Sequence, residues 1–171
     1  MSQLYFSEKQ RFNQPWIWAL NLITAVIFIV MIIMQLLLHK PVGNDPPPDY
    51  ILLLFLLIPI GMMFLFYSIR LETEIRRDGI YVRFPPFIRK TRIYRWEDVR
   101  SCYVRKYSPI GEYGGWGYRM AGKKAGIAFN VSGNMGIQLE LKNGKKILLG
   151  TKKPEEAREA LRKTGFLSDN T

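Results

Sequence analysis

Cysteine and histidine are all but missing from this chain: Cys102 and His39 stand alone among 171 residues. A single cysteine excludes an intramolecular disulfide and a cysteine-rich metal site, and it suits a reducing compartment. A single histidine removes most zinc centres and most nucleophile–base pairs. The phosphate-loop pattern G-x-x-x-x-G-K-[ST] is absent. Acidic residues are scarce, 14 against 25 Lys and Arg, so the net charge is +11. Two long stretches carry no charge at all, residues 16–38 and residues 50–69.

Those two stretches dominate the reading. At about 1.5 Å rise per residue, a helix of 20 or more residues matches the roughly 30 Å hydrocarbon core of a bilayer. The first is too long for a signal-peptide core and lacks a small-x-small cleavage site. A domain of the size that remains could not bury two helices apolar on every side. The sequence therefore predicts a two-helix transmembrane hairpin over 16–70, with spans 16–38 and 50–69 and an external loop 39–49. Asn21, Thr24 and Gln35 are too few and too weakly polar for an ion pathway, and read as interhelical hydrogen bonding. Trp16, Trp18, Tyr50 and Tyr67 lie near the span ends, as interfacial anchors do.

Flanking charge sets the orientation. Lys9 and Arg11 precede the first span, and Arg70, Arg76, Arg77 and Arg83 follow the second; the loop has Lys40 with Asp45 and Asp49. The positive-inside rule then places both termini in the cytoplasm, in a multi-pass protein of the cytoplasmic membrane. Residues 1–15 are expected to be a cytoplasmic tail, and residues 166–171 another.

Residues 71–165 change period. Leu71, Thr73 and Ile75 alternate with Glu72, Glu74 and Arg76, and Asp78-Gly79 turns the chain into an alternating Ile80–Phe84 run. Further strand patterns occupy 92–96, 99–107, 125–131, 137–141 and 145–149, the last pair joined by Asn143-Gly144. Pro154, Glu155 and Glu156 open a helix that Arg162, Lys163 and Gly165 close. The expected fold is mainly antiparallel β, about seven strands in a sandwich or partly open barrel, with one C-terminal α-helix. Asp78-Gly79-Ile80-Tyr81-Val82, Tyr94-Arg95-Trp96-Glu97-Asp98-Val99, Tyr113-Gly114-Gly115-Trp116-Gly117 and Asn130-Val131-Ser132-Gly133-Asn134 carry a resemblance to the bacterial pleckstrin-homology-like proteins. So does Gly150-Thr151-Lys152-Lys153-Pro154-Glu155-Glu156. The resemblance implies a PH-like binding or scaffolding module and supplies no catalytic residues.

Catalytic readings find little support. Glu97 and Asp98 are adjacent and suit a turn, Cys102 alternates with apolar positions, and Ser132 has no histidine partner. No catalytic residue, cofactor or metal is expected. The soluble part carries the charge: from residue 70 onward, 22 Lys and Arg face 11 Asp and Glu. A tethered cation near an anionic leaflet gains about 1 kcal/mol. Arg89, Lys90 and Arg92, with Arg119, Lys123 and Lys124 in the glycine-rich region, are the candidates for contact with anionic phospholipid headgroups. The expected function is a non-enzymatic, membrane-anchored module docking on lipid, on another membrane protein or on its own copy. The alternatives are a structural subunit of a membrane complex and a phosphate-ligand site in the glycine-rich region. The tether disfavours nucleic acid.

Overall fold

The computed structural model describes residues 3–40, 43 and 45–167, without the side chains of Lys123 and Lys124. The chain forms two compact units. One is the insertion Asn13–Ser68; the other is assembled from the chain on both sides of it, up to Phe12 and from Ile69 onward.

The inserted unit is a helical hairpin. Helix α1 (Pro15–Ile32) starts on a proline, whose missing N–H costs nothing in the first turn, and widens into one π turn, Ile33–Leu37. Helix α2 (Asp49–Ser68) continues through Pro59. The two run antiparallel, with Phe28 against Phe55 at 5.9 Å and Trp18 against Phe66 at 6.4 Å between ring centres. Gln35 closes the hairpin end: its Nε2 donates to the Pro47 carbonyl at 2.8 Å and to Asp49 Oδ1 at 2.7 Å. Thr24 and Ser68 return their hydroxyls to carbonyls one turn back, Leu20 and Phe64. The remaining faces expose leucine, isoleucine, methionine and phenylalanine, and Trp16, Tyr50 and Tyr67 are exposed at the ends. Both helices are long and apolar enough to cross a membrane.

The second unit contains a strand that the sequence reading missed. Residues 1–15 were expected as a tail, yet Leu4–Arg11 form strand β1, paired antiparallel with β2 (Arg70–Arg76) from Leu4 opposite Arg76 to Arg11 opposite Arg70. β3 (Gly79–Phe84) and β4 (Ile88–Arg95) complete a four-stranded sheet in chain order. Its inward positions are Phe6, Glu8 and Gln10 on β1, Leu71, Thr73 and Ile75 on β2, and Ile80, Val82 and Phe84 on β3. Glu8 is only 7% exposed and takes hydrogen bonds from Thr151 Oγ1 at 2.6 Å and the Lys152 N–H at 2.9 Å. Gln10 Nε2 reaches the Gly150 carbonyl at 2.7 Å.

The second sheet has the order β5-β8-β9-β7-β6. It comprises β5 (Val99–Lys106), β6 (Gly117–Met120), β7 (Ile127–Asn130), β8 (Met135–Leu141) and β9 (Lys146–Gly150). Two short helices, α3 (Pro109–Tyr113) and α4 (Gly122–Ala125), flank β6. Nine strands are thus present among the described residues, against the seven expected, and the β7–β9 pair is parallel. The sheets meet through Phe84 and Phe129, whose rings lie edge-on at 6.0 Å. The opposite face of the second sheet is covered by Tyr107, Tyr113, Ala121 and Ala125 around Ala128 and Leu148. Helix α5 (Pro154–Thr164) buries Ala157, Ala160 and Leu161 against β1, β2, β5 and β8, and stops at Gly165 in the left-handed conformation.

Candidate functional site

Because α5 covers the side where β1 and β2 meet β5 and β8, the opposite side of the two sheets is left to edge strands. There β4 ends one sheet and β6 ends the other. Between them, and floored by β7 and β9, lies a groove of about 860 Å³, within the range of small-molecule sites.

Why this side stays open can be read from β4. Arg92 pairs opposite Val82 and Tyr94 opposite Ile80, so both occupy positions whose partners point into the core. Neither side chain can fill a dry interior. Arg92 instead lays its guanidinium over the Phe129 ring, 5.9 Å from its centre. Tyr94 is half-buried and bonded to Arg92; burial pushes its phenol up, so the hydroxyl stays neutral and remains a donor. The second wall is Met120, Gly122, Gly126 and Ile127, and the third is the β8–β9 turn with Leu141, Lys145, Lys146 and Ile147. Among the described residues, three cations and no carboxylate line the groove. Lys146 is bridged to Glu140 at 3.3 Å, while Lys145 has no ion pair among the described residues.

The six cations expected to contact headgroups are distributed as follows. Arg89, Lys90 and Arg92 are exposed on β4, and of these Arg92 lines the groove. Arg119, on β6, turns back on its own loop: its Nε donates to the Trp116 carbonyl at 3.1 Å, and Trp116 in turn donates to the Gly133 carbonyl at 3.1 Å. Lys123 and Lys124 belong to α4, on the groove's second wall, and their side chains lie outside the described residues. Lys145, Lys146, Tyr94 and Met120 were not among the residues expected to make contact. The run Lys142-Asn143-Gly144-Lys145-Lys146 was the available signal, a basic hairpin turn.

An ionic network fixes the second wall from behind. Arg105 donates to Glu112 through both terminal nitrogens, at 3.2 and 2.7 Å, and to Gln138 Oε1 through Nε at 3.1 Å. Glu112 also accepts the Ser108 N–H at 2.8 Å. Tyr113, beside this pair, donates to the Ala125 carbonyl at 3.1 Å, and so holds the end of α4. The hydrogen bonds from Arg105 hold the Glu112 carboxyl below the ordinary range, against a smaller opposing effect of burial. A carboxyl depressed in the folded state stabilises the fold above its unfolded pKa, and that contribution disappears as pH falls through the folded value. At pH 7, Glu112→Gln is expected to cost about 1 kcal/mol, because the pair is a third exposed and partly screened. Denaturant melts at pH 7 and pH 3 check this: the difference from the parent should shrink at the lower pH.

Among the described residues no three of His, Cys, Asp and Glu gather as a metal site. Cys102 is fully buried and its thiol is pushed up by that burial. No curated protein and no solved structure matches the chain. A family of unknown function (DUF6141) matches residues 2–165, from the strand β1 through the hairpin to the end of α5, and the chain belongs to that family.

Proposed function

We propose that the protein is a non-enzymatic, membrane-anchored binding module of PH-like build, whose basic face docks on anionic lipid at the cytoplasmic surface. The observation that carries this reading is the β1–β2 pairing. Arg11 and Arg70, the last and first strand residues around the hairpin, are direct partners. A domain folded from both flanks of an apolar hairpin requires the chain to leave and re-enter on the same side of the membrane. That domain holds the excess of positive charge, and positive charge is retained in the cytoplasm. Two sheets with a closing C-terminal helix support the PH-like comparison at the level of architecture. A phosphate nest built on Arg119 is a weaker reading, because that guanidinium is engaged within its loop.

The exposed edge of β4 is the surface to test. In nanodiscs, a fluorophore on Thr91→Cys, where the label is directed away from buried Cys102, reports contact through a quencher on lipid headgroups. Quenching is expected with anionic lipid, with roughly threefold recovery between low and high salt, and with loss in Arg89→Glu/Lys90→Glu. Quenching that is the same in neutral and anionic lipid would leave the domain as a structural subunit without lipid recognition of its own.

A further inference from the structure

We infer that the groove between β4 and β6 binds a single acyl chain ending in an anionic head, a carboxylate or a phosphate. The inference stands on the groove itself and goes beyond docking of the β4 edge on a membrane surface. Its walls are those of an amphiphile site. Met120, Ile127, Leu141 and Ile147 supply apolar surface, and Met120 is 74% exposed. At its rim stand Arg92 and Lys145 with the Tyr94 hydroxyl, and among the described residues no acidic side chain lines the groove; the Lys146 ammonium is taken up by Glu140. An apolar body alone leaves those donors unmatched, and a small anion alone leaves the methionine and isoleucines wet.

An extended acidic peptide, added as a strand to an open edge, is the competing occupant. The edges disfavour it. β4 carries Arg89, Lys90, Arg92 and Arg95 and a register irregularity opposite Val82 and Phe84, both devices that blunt edge pairing. β6 is only four residues long.

The test uses the full chain in nanodiscs of zwitterionic lipid, with a diazirine-bearing C16 fatty acid as the probe and cross-linked peptides identified by mass spectrometry. Saturable labelling of the segments holding Met120, Ile127 and the β8–β9 turn is expected, competed by unlabelled fatty acid and not by inorganic phosphate. Met120→Glu should lower that labelling by about tenfold, since it sets a carboxylate against both the chain and the head. Lys145→Glu should lower it severalfold. Both residues are exposed, and an unchanged melting temperature confirms that each variant is folded. The methyl ester of the probe should label the groove severalfold less than the acid. Labelling confined to residues 13–68, labelling untouched by Met120→Glu, equal labelling by acid and ester, or competition by inorganic phosphate or an acidic peptide would each overturn the inference. Docking on anionic lipid is read by quenching in discs free of fatty acid, and the groove by labelling that Met120→Glu removes, so failure here is separable from failure of the proposed function.

Discussion

Residues 71–171 expressed alone are expected not to fold cooperatively, whereas a chain in which an Asn-Gly turn replaces residues 13–68 is expected to fold as a water-soluble domain. The reason lies in β1. Loss of β1 and the residue after it would uncover β2 along its length and remove Phe6 and Phe12, both buried, from the interior. Burial of a phenylalanine is worth about 2–3 kcal/mol, so two of them approach the lower end of a typical domain stability of about 5–15 kcal/mol. Glu8 and Gln10 leave with them, and the Thr151 hydroxyl, the Lys152 N–H and the Gly150 carbonyl then lose their partners. The short turn is compatible with the geometry because Arg11 is already opposite Arg70 and the Phe12 N–H already donates to the Ile69 carbonyl at 3.2 Å. An Asn-Gly pair is the preferred two-residue link between such strands. Thermal melts by circular dichroism and amide NMR dispersion decide it. A fragment 71–171 that melts cooperatively within a few degrees of the turn-linked chain would show β1 to be dispensable.

The same strand marks the limit of what the sequence discloses. Where a segment's own pattern agreed with its environment, it was legible: the uncharged stretches became α1 and α2, Asp78-Gly79 and Asn143-Gly144 turned hairpins, and Pro154 to Gly165 bounded α5. β1 has no such agreement. Its inward positions are Phe6, Glu8 and Gln10, so two of three are polar, and with Ser7, Lys9 and Arg11 facing outward no apolar alternation remains. Glu8 is buried because Thr151 and Lys152, more than 140 residues away in sequence, hydrogen-bond to it. No local window contains that partner. β6 was lost for a different reason: four residues between glycines and a short helix carry too little period to register.

The candidate site divides in the same way. The cations were visible as charge runs, but a groove exists only where strands from different sheets end, and strand order is a long-range property. Lys90 and Lys145 are alike as surface lysines in the sequence. Only the placement of β4 against the β8–β9 turn sets Lys145, together with Arg92, at the rim of an apolar hollow. Arg119 shows the converse. A glycine-rich neighbourhood suggested an anion nest, and the folded loop spends the guanidinium on the Trp116 carbonyl.

Gly126→Ala is expected to destabilise the β-rich unit by about 3 kcal/mol and to close down the groove, whereas Gly144→Ala costs about 1 kcal/mol. Both glycines adopt positive φ, +82° at Gly126 and +79° at Gly144, so both substitutions carry conformational strain. They differ in space. Gly144 has nothing within 4 Å of an added Cβ, since its turn faces solvent. A Cβ on Gly126 would sit against the carbonyl of Lys146, where β7 starts its parallel pairing with β9 at Ile127 and Ile147. Backbone cannot yield there without parting the two strands. Gly126 also accepts the Ala121 N–H at 2.8 Å and donates to Gly122 at 2.9 Å, so the displacement would pass directly into α4 and the groove's second wall. For a unit of this size 3 kcal/mol corresponds to a melting temperature lowered by about 10 °C or more. Thermal melts of the two variants, read beside acyl-probe labelling, separate the effects. If Gly126→Ala loses no more than Gly144→Ala, the close approach of β7 and β9 does not govern this wall.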